Sequence, residues 1–579
     1  MSELTYILNL RHPAHRTVGI SVRGSVDAMG ARGGEVDLQL PSWTPGSYLI
    51  REHARHVGNL RATDERGRNL VCRKVGKDRF RVTLGDAATL EVQYTLYAHE
   101  LSVRTNDVTD RRAFLCGAAV FLWPIGRQSG GATVELLVPD AWQVEAGVEC
   151  STQGPGQFRF QVPDRDALVD CPILAGNFEV LRFDCLDKPH ALVLDGLLGI
   201  RPPDHFASDV ATLIEQAAAV FGGTLPYDRY SFLCMFTESA RGGLEHLASS
   251  AILAPRTTFR PRKSYLELLG LIAHEHFHVW NVKRMRPVDL WHLDYTQENH
   301  TELLWVAEGF TAYYDDHLCR RAGLLSVEQY LTILGETIQE LKHTPGRLRQ
   351  SLSEASFDAW IRLYRPDENT RNSTLSYYGN GALVALRFDL RIRQATAGER
   401  SLDDVMRQLY AETFESGKGY TRADVIAAIG EAGGFDAREL VESLVLQPLD
   451  PDFSEWFAPF GIEVTEGGET SPYLGVHFQP NSTVVSSVLE GTPAWTSGLM
   501  PDDEILALAG IRVTASTLPR VLENVAPNGA VPVMLSRRSR IVELTVEPAP
   551  RRLSVSLRIK RDATPEQVRL RSGWLFERA

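Results

Sequence analysis

His274-Glu275-His276-Phe277-His278 places two histidines four residues apart, with a glutamate beside the first. On a helix, positions i and i+4 lie one turn apart on the same face, so both imidazoles can converge on one ion. Glu275 then stands where its carboxylate reaches a water activated by that ion. His276 is about 200° round the helix from His274, at ~100° per residue, and reads as a structural histidine. The plainer alternative is a helix carrying two solvated histidines. Against it, Leu266–Ala273 is strongly apolar, so the helix is largely buried. Unpaired polar groups there would cost roughly 1–3 kcal/mol each.

A catalytic zinc takes three protein ligands and keeps one position open. Glu308 is the acidic residue in the apolar stretch Trp305-Val-Ala-Glu-Gly-Phe-Thr-Ala-Tyr-Tyr314. It lies far enough downstream for a second helix to return it to the first. A set of two histidines and one glutamate selects zinc over magnesium or calcium, which favour all-oxygen shells. One zinc ion per chain is therefore expected, on His274, His278 and Glu308.

Two further clusters fit peptide chemistry. Arg241-Gly242-Gly243-Leu244-Glu245-His246 lies between two predicted strands. Gly242 and Gly243 would let a substrate approach an edge strand closely, and Glu245 offers a negative charge to an α-ammonium. A turn with an exposed glutamate is the plainer alternative. Tyr377-Tyr378-Gly379-Asn380-Gly381 opens a later helix. A phenol beside a metal can donate to an oxyanion. Aromatic packing at a helix start competes with that role.

The elements that must position these groups follow from periodicity. Up to about residue 175 the chain reads as β, in segments such as Leu4–Leu10, Glu35–Leu40, Phe80–Leu84 and Ala132–Val138. Pro41-Ser-Trp-Thr-Pro-Gly-Ser-Tyr48 reads as a packed β-corner, with a substrate contact as the alternative. From about 180 to 455 the pattern is helical, with strands at Ser231–Phe236 and Ser249–Leu253. Ser264-Tyr-Leu-Glu267 is a capping-box match that opens the histidine helix. A second helix is predicted from about Thr301 to Arg321, stopped by Gly323, and others start near Ser326, Gly379, Ser401, Thr421 and Asp436. Near residue 460 short strands return.

The chain has 579 residues, 44% apolar and 23% charged, with a formal net charge of -12. That charge disfavours nucleic acid or an anionic membrane as partner. No apolar run approaches the ~18 residues of a membrane span, and no leader is legible at the start. The seven cysteines are scattered without a C-x-x-C pair. They fit a reducing, cytoplasmic setting; a removed leader would allow a periplasmic one.

Longer stretches carry a resemblance. Leu40-Pro-Ser-Trp-Thr-Pro-Gly-Ser-Tyr48, Gly242-Gly-Leu-Glu-His246, His274-Glu-His-Phe-His-Val-Trp-Asn-Val-Lys-Arg-Met-Arg-Pro287, Leu304-Trp-Val-Ala-Glu-Gly-Phe-Thr-Ala-Tyr-Tyr314 and Ser376-Tyr-Tyr-Gly-Asn-Gly381 resemble the PDZ-bearing glycyl aminopeptidases among the gluzincin metallopeptidases. The resemblance implies a multidomain α+β fold. Residues 1–175 would form an antiparallel β domain and 176–457 a thermolysin-like, mostly helical catalytic domain. Residues 458–550 would be a PDZ domain able to take a peptide C-terminus at Leu474-Gly475-Val476, and 551–579 a basic tail. It also implies removal of N-terminal residues, often glycine or alanine, from peptides with a free N-terminus. His274, His278 and Glu308 would hold zinc, Glu275 would be the base, and Glu245 would capture the amine. Broader gluzincin aminopeptidases carry G-x-M-E-N and Y-x-K-G where this chain has Gly-Gly-Leu-Glu-His246 and Tyr378-Gly-Asn-Gly381. Aligning on Gly381 favours Tyr378 over Tyr377 as oxyanion donor. A thermolysin-like endopeptidase and a PDZ-based adaptor with a relict zinc site are the rival expectations.

Overall fold

The alternation Leu4-Tyr6-Leu8 becomes a strand, Leu4–Asn9, with all three side chains buried. This holds in a computed structural model that describes residues 4–127, 129–414, 416–526 and 528–576. The chain divides into two compact units. One takes in the chain up to Asn299 with Tyr314–Leu324 and Met406–Tyr420; the other takes in His300–Tyr313, Leu325–Val405 and the chain from Thr421 onward.

The first unit opens with an eleven-stranded and a four-stranded sheet. Their inward faces share one core that includes Tyr6, Val22, Val92 and Val134. Pairing is antiparallel except between Leu4–Asn9 and Ala132–Leu137, which run parallel. A five-stranded mixed sheet follows: β1 (Glu179–Cys185), β2 (Lys188–Asp195), β3 (Tyr230–Thr237), β4 (Gly242–Glu245) and β5 (Ser249–Pro255), in the order β1-β2-β3-β5-β4. Strands β3 and β5 are nearly continuous apolar runs and lie parallel in the interior, as strands buried on both faces do. Short β4 forms the edge, antiparallel to β5. The strands expected at Ser231–Phe236 and Ser249–Leu253 are β3 and β5; β1 and β2 are additions to them, and the rest of the region is mostly helical as expected.

Helices α1 (Phe206–Val220) and α2 (Arg262–Phe277) belong to the same unit. Phe221, just after α1, stacks on Trp280 at 4.8 Å and meets Phe277 at 5.3 Å. The capping box expected at Ser264 does not start α2. Pro261 is the N-cap, with φ -70°, and accepts from the Tyr265 amide, so the helix begins one turn earlier.

In the second unit the single helix expected over Thr301–Arg321 is two pieces, α3 (Leu304–Ala307) and α4 (Gly309–Arg321), meeting at Glu308. Glu308 keeps helical hydrogen bonds on both sides, to Leu304 and from Ala312. The helical hydrogen-bond pattern is therefore unbroken from α3 into α4. Helix α5 (Val327–Lys342) starts in a capping box of Ser326 and Gln329. Helix α6 (Gly379–Ala395) follows Tyr378, and α7 (Arg422–Gly433) begins in a Thr421–Asp424 box.

The C-terminal strands have their own core, including Val485, Ile505, Leu508 and Val533. Asn372 holds them within this unit: its amide donates to the Val488 carbonyl at 2.9 Å and accepts from Glu490 N at 2.9 Å. The segment expected as a basic tail is instead part of the fold. Ala549–Ile559 pairs with Ile462–Tyr473, and the helix Pro565–Leu575 buries Leu570 and Trp574. Trp574 meets Tyr330, Phe457 and Phe460 at 6.0, 6.1 and 5.8 Å. The i, i+4 spacing of Leu570 and Trp574 outweighs the arginines around them. Among the described residues no helix is long and apolar enough to cross a membrane. All seven cysteines are free.

Candidate functional site

The last turn of α2 carries His274 and Glu275, with His278 as its C-cap. His274 Nε2 and His278 Nε2 are 3.1 Å apart. His278 Nδ1 lies 2.7 Å from the Asn281 carbonyl, which can only accept, so the proton sits on Nδ1. His274 Nδ1 lies 3.2 Å from Asp315 Oδ2. The two Nε2 atoms thus face each other, at a spacing from which both can turn to one ion. A cation is the group that satisfies that geometry, and imidazoles bonded through Nδ1 to a carbonyl and a carboxylate are the usual metal-binding form. Burial pushes the Asp315 carboxyl up, and the His274 hydrogen bond pulls it back.

Asp315 lies on α4, where its neighbour Tyr314 stacks on Phe277 at 4.5 Å. The same helix begins directly after Glu308. One donor atom from each of His274, His278 and Glu308 lies within 4.8 Å of the others. These residues fit a zinc ion in number, type and spacing.

Edge strand β4 brings a second acidic group alongside. Donor atoms of Glu245, Glu275 and His278 also lie within 4.8 Å of one another. Glu245 and Glu275 are 3% and 5% exposed, so two carboxylates share a site shielded from water. Among the described residues Glu245 Oε1 has no hydrogen-bond partner.

Glycines make room for two of these acids. A Cβ on Gly243 would overlap the Glu275 carboxylate. A Cβ on Gly46, which has φ +84°, would overlap that of Glu245. The Pro41–Tyr48 segment, expected as a packed corner with a substrate contact as the alternative, is therefore the floor under Glu245. Trp43 Nε1 anchors it by donating to the Asp294 carbonyl at 2.8 Å. Because the Glu275 carboxylate is the mobile end of its side chain, Gly243→Ala should fold normally yet displace the acid. The expected result is a kcat about a hundredfold lower with an unchanged melting curve, since misplacements near 1 Å cost that much. Unchanged kcat would show that Glu275 does not need its place over β4.

Tyr377 and Tyr378 stack at 4.8 Å just before α6, and Tyr378 Oη is 3.0 Å from Tyr364 Oη. A Cβ on Gly309 would stand 2.6 Å from Gly381 Cα. These two glycines let α4 and α6 touch, which brings the tyrosines to the Glu308 end of α4. Burial first, then the charge of Glu308, pushes the Tyr378 phenol well up, so it remains a proton donor. For Tyr377, burial leads, with Tyr364 and Glu308 adding to it.

His276 is structural, as expected. It is 2% exposed, 2.8 Å from Tyr227 Oη, and ringed by Tyr230, Phe232 and Trp280. Sequence reasoning missed the network beside Glu245. His246 Nδ1 is 3.3 Å from Asp170, which also takes Lys283 at 2.7 Å and the Leu247 amide at 2.7 Å. Burial pushes the Asp170 carboxyl up, but Lys283 and His246 hold it well below the carboxylate range. This ion-paired cluster fixes the end of β4 on which Glu245 stands.

The profile of the Peptidase M61 N-terminal domain matches residues 5–177, and that of the M61 glycyl aminopeptidases matches residues 267–384. Together they span just over half of the chain. The chain belongs to the M61 glycyl aminopeptidase family. This M61 protein is accordingly a metallo-aminopeptidase. It is similar to the crystal structure of an aminopeptidase N family protein from Idiomarina loihiensis, with 27% identity and a TM-score of 0.92 over 99% of this chain and 100% of that one. The crystal structure of an M1 zinc metallopeptidase from Deinococcus radiodurans matches with 16% identity and a TM-score of 0.49, over 78% of this chain and 95% of that one. No curated protein matches the sequence.

Proposed function

We propose that this M61 enzyme removes single, small N-terminal residues from peptides, with zinc held by His274, His278 and Glu308. The observation that carries this reading is the buried carboxylate oxygen of Glu245, beside Glu275 and without a partner among the described residues. A buried anion without a partner is costly, and a substrate ammonium supplies what is missing. Bound zinc would supply Lewis acidity, making water nucleophilic near neutral pH and drawing charge from the scissile carbonyl. Glu245 holds the α-ammonium and so sets which peptide bond meets Glu275. Glu275, fixed against Gly243, takes the proton from the attacking water and passes it to the leaving nitrogen. Tyr378 donates its phenolic proton as a hydrogen bond to the carbonyl oxygen as negative charge grows there. Glycine or alanine as first residue follows the family's glycyl activity. The contact of Glu245 with Gly46, where no side chain fits, supports a tight pocket around the amine.

An N-acetyl cap removes the charge that Glu245 reads. The capped form of an alanyl peptide should therefore react at least about a hundredfold more slowly than the free form, as loss of one partner of a buried charge pair costs 3–5 kcal/mol. Glu245→Gln should erase most of that ratio. Equal kcat/KM for capped and free peptides would support the endopeptidase reading instead.

A further inference from the structure

We propose that Arg104 is a specificity residue that binds the terminal carboxylate of short substrates, so that dipeptides with a free C-terminus are this enzyme's best substrates. The inference rests on the aminopeptidase reading above and adds the far end of the substrate. Arg104 Nη2 donates to the Gly243 carbonyl at 3.1 Å. Its Nη1 lies 3.7 Å from where a side chain on Gly242 would begin. The guanidinium therefore covers the glycine end of β4, where no side chain stands in the way. Among the described residues its buried Nε has no hydrogen-bond partner. A guanidinium carries five N–H donors in one plane, and one is accounted for here, which leaves a fork suited to a carboxylate.

Its backbone is pinned on both sides. Arg104 N donates to Ser102 Oγ at 3.1 Å, and its carbonyl accepts from Thr44 Oγ1 at 3.5 Å. The neighbouring cation, Arg241, is engaged elsewhere: it pairs with Glu267 Oε2 at 3.0 Å and donates to the Glu267 carbonyl at 3.1 Å. Arg104 is thus the guanidinium held at this edge.

Reach selects the substrate. Strand residues advance about 3.3 Å each, so Gly243 lies about 7 Å from Glu245 along β4. An extended dipeptide spans a similar length between its amine and its carboxylate. With the ammonium on Glu245 and the scissile carbonyl beside Glu275, the carboxylate of a dipeptide arrives at the Gly243–Gly242 end, under Arg104. A longer peptide presents only a neutral carbonyl there, and an amidated dipeptide only an amide. A hydrogen bond to a charged acceptor is worth more than one to a neutral acceptor, by about tenfold or more in kcat/KM.

The test compares Ala-Ala with Ala-Ala-amide on the zinc-loaded, full-length enzyme, with an alanyl anilide as a substrate lacking any carboxylate. The wild type should favour the free acid at least about tenfold. Arg104→Met should bring the acid-to-amide ratio close to one, and Arg104→Lys, which keeps the charge but not the fork, should retain part of it. The wild-type ratio needs no variant, so it decides even where Arg104→Met fails to fold. A wild-type ratio near one, or variants that lower both substrates equally, would overturn the role of Arg104 and leave the aminopeptidase reading standing. A wild type that cleaves none of the three would overturn that reading and this inference with it.

Discussion

Glu275→Gln should leave the zinc in place and lower kcat by about 10²–10⁴-fold, the range of general acid–base contributions. Glutamine keeps the shape of the side chain that lies over Gly243, so the substrate should still bind and KM should change little. What it lacks is basicity: an amide cannot take a proton from water or return one to the leaving amine. Steady-state kinetics with an alanyl reporter, alongside metal analysis of the same sample, measures both halves. A variant with near-wild-type kcat would remove Glu275 from the chemistry. Tyr378→Phe, measured in the same assay, should cost about 10²-fold, the loss of one oxyanion donor. A larger loss in Tyr377→Phe would move that role to the neighbouring phenol.

Chelation should abolish turnover, and zinc added back after removal of the chelator should restore it. The expectation comes from the two facing imidazoles, with Nε2 atoms 3.1 Å apart, and the buried carboxylates of Glu245 and Glu275 beside His278. Without a cation these groups repel one another in a site of low polarity. The chelated protein should therefore also melt at a lower temperature. Bound ligand at a thousand times its dissociation constant stabilises by about 4 kcal/mol, which is several degrees for a protein of this size. Magnesium should not substitute, because two imidazoles suit it poorly. Chelated protein with no measurable zinc and full activity would refute the metal's role.

The histidine helix was legible because its signal is local. His274, Glu275 and His278 act through one turn of one helix, and helical geometry alone puts them on one face. Glu308 was legible for a similar reason, as an acid in an apolar stretch. The edge strand was readable from Gly242-Gly243, since paired glycines in a strand pattern mark a close approach. Other features depended on contacts between distant segments. Nothing near Gly46 announces that it lies under Glu245, and Asp170 and Lys283 are far apart in sequence, so their pairing beside His246 had no local mark. The C-terminal helix was masked by composition: arginines around Leu570 and Trp574 read as a solvated tail, although the i, i+4 apolar pair is what buries. The start of α2 was misplaced because Ser264 and Glu267 match a cap by type, while Pro261 had already begun the helix.

A zinc-edge anomalous diffraction map of the crystallised wild-type enzyme tests the metal assignment most directly. One peak per chain is predicted, bonded to His274 Nε2, His278 Nε2 and a Glu308 carboxylate oxygen, and it should vanish in Glu308→Ala. A peak seated instead among Glu245, Glu275 and His278, the other trio of donors close enough to hold an ion, would contradict the account. It would occupy both the base and the amine-binding acid and leave His274 out of the coordination.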